Sequence, residues 1–207
     1  MSNIYKLIFI IPFFILGCSS NVIEQSKALK KINSLDMNIY SKNGDKIYTI
    51  KSPYSSYDND AQKFQLEKTT IYIFNGEEIK YVISSNESTL SQNNKLVELK
   101  GNVKLKSTRK NDGDLYADNF IWNIEDNNYL LTGNIKYETK KVVLYSGKAK
   151  LDSDNIIEFY NPVKYIIKSN NNDNNFEINS ENAFYNIKTE SLVFGAKDKR
   201  VRSIINF

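Results

Sequence analysis

The sequence predicts an all-β chain of short antiparallel strands stacked as repeats, and three observations carry that prediction. Strand formers are abundant, with 14 Tyr and 11 Phe beside heavy use of Ile, Val and Thr. From Met37 onward, alternating segments are split by turn-forming clusters: Asn43-Gly44-Asp45, Asp58-Asn59-Asp60, Asn75-Gly76, residues 91–94, residues 111–114, Asp126-Asn127-Asn128, Asp152-Ser153-Asp154 and residues 170–175. A phrase also recurs. Val97-Glu98-Leu99-Lys100-Gly101-Asn102-Val103-Lys104-Leu105 is echoed by Tyr129-Leu130-Leu131-Thr132-Gly133-Asn134-Ile135-Lys136-Tyr137 and, more faintly, by residues 157–165. Its centres Gly101, Gly133, Asn161 and Gly195 lie 32, 28 and 34 residues apart, the spacing of units that bury their apolar faces only by stacking.

Residues 1–17 read as a signal peptide. A short polar start carrying Lys6 precedes an apolar run over residues 7–16, too short for a membrane-spanning helix, which needs about 20 residues, but of h-region length. Gly17 directly before Cys18, with Ser19 and Ser20 behind, resembles the lipobox of bacterial lipoproteins, in which cleavage exposes the cysteine for diacylation. Cys18 is the chain's one cysteine and the expected lipid attachment site. Residues 18–36, polar with scattered apolar positions and without Gly or Pro, read as a tether. Residues 37–207 form the strand-built domain, with 176–207 an additional repeat. A second shared phrase, residues 119–124 before Gly133 and residues 182–187 before Gly195, makes each unit a pair of strands.

Strand parity locates the core. Val97, Leu99, Val103 and Leu105 share a face with Gly101, while Glu98, Lys100, Asn102 and Lys104 point away; Tyr129, Leu131, Ile135 and Tyr137 with Gly133, and Ile157, Phe159, Val163 and Tyr165 with Asn161, repeat the arrangement. A glycine in the middle of an apolar strand marks a bend or bulge, so each rung should be kinked. The interior is then either a self-filled sandwich or a space that admits something long and apolar, such as acyl chains.

Composition narrows the function. The chain has 207 residues, 41% hydrophobic and 25% charged, within the globular range. No histidine is present, and one cysteine allows no internal disulfide, so His-ligated zinc and Ser-His or Cys-His catalysis are excluded. Without residues 1–17 the chain carries 27 basic against 24 acidic residues. Only Lys30-Lys31, Lys140-Lys141 and residues 197–202 cluster positive charge, too little for a nucleic-acid footprint. A two-carboxylate glycan hydrolase could draw on Asp118, Glu125, Asp126, Glu158 or Glu181, but these alternate with apolar residues or sit in turns, and no pair is matched. No enzyme, cofactor or metal is expected.

Residues 38–52, then Tyr57 and residues 64–74, resemble the opening of the LptC family of membrane-anchored lipopolysaccharide export proteins. Residues 90–105, 115–133 and 143–165 continue the likeness in order. The strand-Gly-Asn unit is shared with the wider OstA-like superfamily, which includes soluble LptA-like bridge proteins. The resemblance implies an open, twisted β-jellyroll at the periplasmic side of the inner membrane, which accepts lipopolysaccharide from an inner-membrane ABC transporter in an apolar groove and passes it to the next jellyroll. Residue-by-residue matching implies a groove lined by Leu66, Gly133 and Tyr165, with Leu99, Val103, Leu131, Ile135, Phe159 and Val163 on the same parity. Partners would pair by strand edges, at residues 37–50 on the transporter side and 191–207 on the far side, toward an LptA-like bridge protein. Two features depart from the family: its members are commonly anchored by a transmembrane helix rather than a lipidated cysteine, and residues 176–207 are extra. The alternative is a structural or adhesive β-repeat lipoprotein with a filled core.

Overall fold

One meandering antiparallel sheet contains every regular element of the computed structural model, which describes residues 29–91, 95–108, 113–126, 128–151, 156–168, 176–186, 189, 191–195 and 201–205. Residues 1–17 and Cys18 lie outside that set. The strands are β1 (Lys30–Tyr40), β2 (Lys46–Asp58), β3 (Lys63–Asn75), β4 (Glu78–Ser91), β5 (Leu96–Ser107), β6 (Asp114–Asn123), β7 (Asn128–Glu138), β8 (Val142–Leu151), β9 (Ile156–Ile167), β10 (Phe176–Asn186), β11 (Ser191–Gly195) and β12 (Arg202–Ile205). Each of β1 to β11 pairs with its sequence neighbours. Among the described residues β1 and β11 do not pair, so the sheet stays open, in agreement with the jellyroll expectation.

Strands of 10 to 14 residues dominate from β1 to β10, and each crosses a crease that divides the sheet into two arms. The burial pattern marks the crease by a reversal of alternation. In β3, Phe64 and Leu66 face inward on one side of it and Thr69 and Ile71 on the other; β6 switches likewise from Leu115 and Ala117 to Phe120 and Trp122. In β5 and β7 the alternation survives, because one extra residue is inserted. Gly101-Asn102 sits between the Lys100↔Asn119 and Val103↔Ala117 pairs, and Gly133-Asn134 between Thr132↔Lys148 and Ile135↔Ser146. These are β-bulges, and all four residues have left-handed φ: 73° and 49° in β5, 76° and 44° in β7. Glycine takes that conformation freely and asparagine is the side chain that tolerates it best, which explains the recurring dipeptide.

The crease interrupts the hydrogen-bond ladder, and short side chains restore part of it. In β2, β4, β8 and β10 a serine at the last position before the crease donates to the carbonyl two residues on: Ser52 to Tyr54 (2.6 Å), Ser85 to Glu87 (3.0 Å), Ser146 to Lys148 (2.8 Å) and Ser180 to Asn182 (2.9 Å). Pro53 and Pro162 lie in the same breaks, where a missing N–H costs the ladder nothing.

Two boundaries differ from expectation. Strand β1 begins at Lys30, inside the segment read as a tether. Its inward residues are Ile32, then Leu35, Met37 and Ile39; Ser34, with φ 58°, shifts the alternation and hides the strand from a period-two reading. The last repeat is broken as well. β11 ends at Gly195 beside one arm of β10, and β12 resumes alongside the other arm in the same direction, so the far edge is one interrupted strand.

Candidate functional site

Two apolar rows run perpendicular to the strands and face each other across the interior. On the upper arm, the register links Leu66, Ser88, Leu99, Phe120, Leu131, Ala149, Phe159, Ala183 and Phe194 in unbroken succession from β3 to β11. On the lower arm the row is Met37, Ile50, Ile71, Ile83, Leu105, Leu115, Tyr137, Leu144, Tyr165 and Ile178, from β1 to β10. At about 4.8 Å per strand, such rows extend for roughly 40 Å. Buried residues of both arms form a single apolar cluster, so the sheet is folded over along its crease.

The residues expected to line a groove occupy this interior. Leu66, Leu99, Leu131 and Phe159 stand in the upper row, Tyr165 in the lower row, and Val103, Ile135 and Val163 beside the crease. Gly133 is different. A Cβ built on it would lie 2.5 Å from Oδ2 of the exposed Asp118, so the residue shapes the crease from its outer side and does not line the interior. Leu99, Phe159 and Val163 have no exposed surface, and the interior is filled by its own side chains.

Aromatic pairs join the two arms. Tyr48 of β2 meets Trp122 of β6 edge to face at 5.0 Å, Tyr137 of β7 meets Tyr185 of β10 at 5.5 Å, and Tyr165 of β9 meets Phe194 of β11 at 5.4 Å. None of these pairs lies on hydrogen-bonded neighbouring strands. The stagger between partners falls from four strands to two along the sheet, the signature of its twist. Trp122 also stacks on Tyr129 at 5.7 Å. Burial pushes the phenols of Tyr48 and Tyr129 up to about 12. Of these residues, sequence parity identified Tyr129, Tyr137 and Tyr165 as inward-facing; Tyr48, Trp122, Tyr185 and Phe194 were not identified, and the pairing itself depends on stagger.

A cleft of about 790 Å³ is bounded by the outward-facing Lys31, Tyr54, Glu67, Glu87, Glu98 and Lys100, and also by Leu66 and Ser88 of the upper row. Its charged walls suit an anionic lipid poorly, with Glu67 and Glu87 directly opposite each other on β3 and β4. The candidate catalytic carboxylates are dispersed: Asp118 accepts from Asn134 (2.8 Å), Glu125 pairs with Lys95, Asp126 accepts from Asn123 (2.6 Å), Glu158 lies in β9 beside Tyr160, and Glu181 is in β10. The structure does not assemble them into a site.

Comparison with known proteins gives two findings. The family model described as "Lipopolysaccharide-assembly, LptC-related" matches residues 18–141, more than half of the chain. Among solved structures, the chain is similar to LptH, the LptA-homologous periplasmic component of the lipopolysaccharide transport device of Pseudomonas aeruginosa, with TM-score 0.48 and 12% identity over 61% of this chain and 94% of that one. No curated protein matches the chain.

Proposed function

The chain belongs to the LptC-related family of lipopolysaccharide-assembly proteins, and from that premise we propose that it is a periplasmic, inner-membrane-associated carrier of lipopolysaccharide. It accepts the lipid from an inner-membrane ABC transporter, holds the acyl chains between the two arms and passes them to the next jellyroll. The observation that carries this reading is the pair of continuous rows, the upper from β3 to β11 and the lower from β1 to β10, without an interposed charge. Burial of each CH₂ contributes about 0.8 kcal/mol, so several acyl chains can be held with no catalytic group. Because the interior is filled, the aromatic seam must part to admit them.

The edges supply the hand-off. Strand β1 offers an 11-residue edge for addition of a partner strand, whereas residues 46–50 of the expected transporter-side edge belong to β2, where Tyr48, Thr49 and Ile50 are paired on both sides. The interrupted β11 and β12 edge faces the other way, toward an LptA-like bridge protein. Cys18, once diacylated, tethers the sheet to the membrane; incorporation of labelled fatty acid into the parent chain but not into Cys18→Ala tests this.

Photo-crosslinking amino acids at Leu131 and Phe159 test the interior path. Capture of lipopolysaccharide in cells, dependent on ATP hydrolysis by the transporter, is the expected result. Capture confined to the outward-facing Lys100 sinks the proposal. A structural β-repeat lipoprotein is favoured by one observation, the filled interior, and would yield no lipid adduct at any of the three positions.

A further inference from the structure

Buried polar side chains in this protein are partnered with care. Thr69 and Ser88 share a hydrogen bond, and the hydroxyls of Ser52, Ser85 and Ser146 are satisfied by backbone carbonyls at the crease. Trp122 is the exception among the described residues, for its Nε1–H is buried without an acceptor. An orphaned donor costs stability that a phenylalanine in the same aromatic cluster would not forfeit.

Its position gives the donor a use. Trp122 lies in the outermost inward-facing row of the upper arm, where the register runs from Val97 through Trp122 to Tyr129, and Tyr48 of the opposite arm covers it. That line is the boundary between the apolar interior and solvent. An acylated glycolipid with its chains between the arms and its sugars outside must place its linkage carbonyls along the same line. An ester or amide carbonyl brings an acceptor, and the indole brings a donor that has none.

We propose that Trp122 is a specificity-determining contact, its indole N–H donating to an acyl ester or amide carbonyl of the bound lipid once the seam parts. The inference rests on the carrier reading above and adds to it a named point of recognition. A chain that lacks a carbonyl at its linkage gains the apolar contact but not this bond.

The test replaces Trp122 with β-(3-benzothienyl)alanine, which keeps the bicyclic shape and puts sulfur in place of N–H; Trp122→Phe serves as a second variant. Affinities are measured for purified hexaacylated lipid A and for an alkyl maltoside, whose ether-type linkage has no carbonyl. The expected result is a loss of about three- to tenfold in affinity for lipid A with no change for the maltoside, and a melting temperature of the lipid-free isostere variant equal to or above the parent's. Equal affinity of isostere and parent for lipid A, or an equal loss on both ligands, overturns the inference while leaving the carrier reading in place. A parent protein that binds neither ligand overturns the carrier reading and the inference with it.

Discussion

Gly133→Ala should be the most damaging single-methyl addition at the crease. With φ at 76°, the new side chain would occupy left-handed backbone, a penalty of about 1–2 kcal/mol for an L-residue. Sterics add to it. The Cβ would lie 2.5 Å from Asp118 Oδ2, 2.9 Å from its Cβ and 3.0 Å from its Cγ. The carboxylate can rotate away, but the Asp118 Cβ is fixed to β6, and the carboxylate is also held by the Asn134 amide at 2.8 Å. Together these give a destabilisation of about 2–4 kcal/mol. Gly101→Ala provides the control: its φ is similar, 73°, but its nearest atoms are the Asn86 side-chain nitrogen at 3.1 Å and Cβ at 3.3 Å, looser than those at Gly133, so the loss stays nearer the backbone penalty of about 1–2 kcal/mol. Urea unfolding followed by the emission of the single tryptophan, Trp122, measures both. At about 2–4 °C per kcal/mol, Gly133→Ala lowers the melting temperature by roughly 4–16 °C. An Asp118→Ala background should recover part of the loss. A Gly133→Ala protein as stable as the parent, or no less stable than Gly101→Ala, refutes the crease geometry.

Three other substitutions probe different layers of the structure. Phe159→Ala removes a ring with no exposed surface whose cross-strand neighbours, Ala149 and Ala183, are too small to fill the space; a loss of about 3–5 kcal/mol in chemical denaturation is expected. Ser146→Ala deprives the Tyr160 N–H (3.1 Å) and the Lys148 and Tyr160 carbonyls of their partner, so it should cost about 1–3 kcal/mol and exceed Ser180→Ala, whose hydroxyl serves one carbonyl. Glu138 accepts from Lys136 (2.6 Å) and Lys168 (2.7 Å), and these bonds hold its carboxyl below the usual range. A depressed carboxylate stabilises the fold above its unfolded pKa of about 4.3 and loses that contribution as pH falls through the folded value. Glu138→Gln should therefore cost less than about 1 kcal/mol at neutral pH and converge with the parent at pH 3, read from pH-dependent melting.

How much of this was legible depended on whether an alternation survived the crease. β5 and β7 keep one parity through their Gly-Asn bulges, and these were the segments whose repeat stood out. β3, β6 and β8 reverse parity at the crease and present two shifted half-patterns, so Thr69, Ala117 and Ser146 carry no sequence signal of belonging to the same strands as Leu66, Phe120 and Ala149. The turn clusters fall between consecutive strands. The connection at 139–141 contains neither Gly nor Asn; there the Thr139 hydroxyl accepts from the Lys141 and Val142 N–H groups and does the work of an Asx side chain. The inward-facing side chains of β5, β7 and β9 followed from parity, with Gly101 and Gly133 the exceptions, because a left-handed residue breaks the rule that parity rests on. The seam was beyond reach, since Tyr48 and Trp122 meet only through the twist of the sheet, with three strands between them.

The central claim is that acyl chains enter between the arms, and Trp122 is placed to report on it. Lipid A carrying a nitroxide midway along an acyl chain is added to the purified chain, beside lipid A carrying the nitroxide on its sugar, and quenching of Trp122 emission is compared at equal occupancy. Strong quenching by both lipids is the predicted result, because Trp122 stands where the acyl chains meet the sugar. A chain-labelled lipid that binds yet leaves Trp122 unquenched contradicts the account.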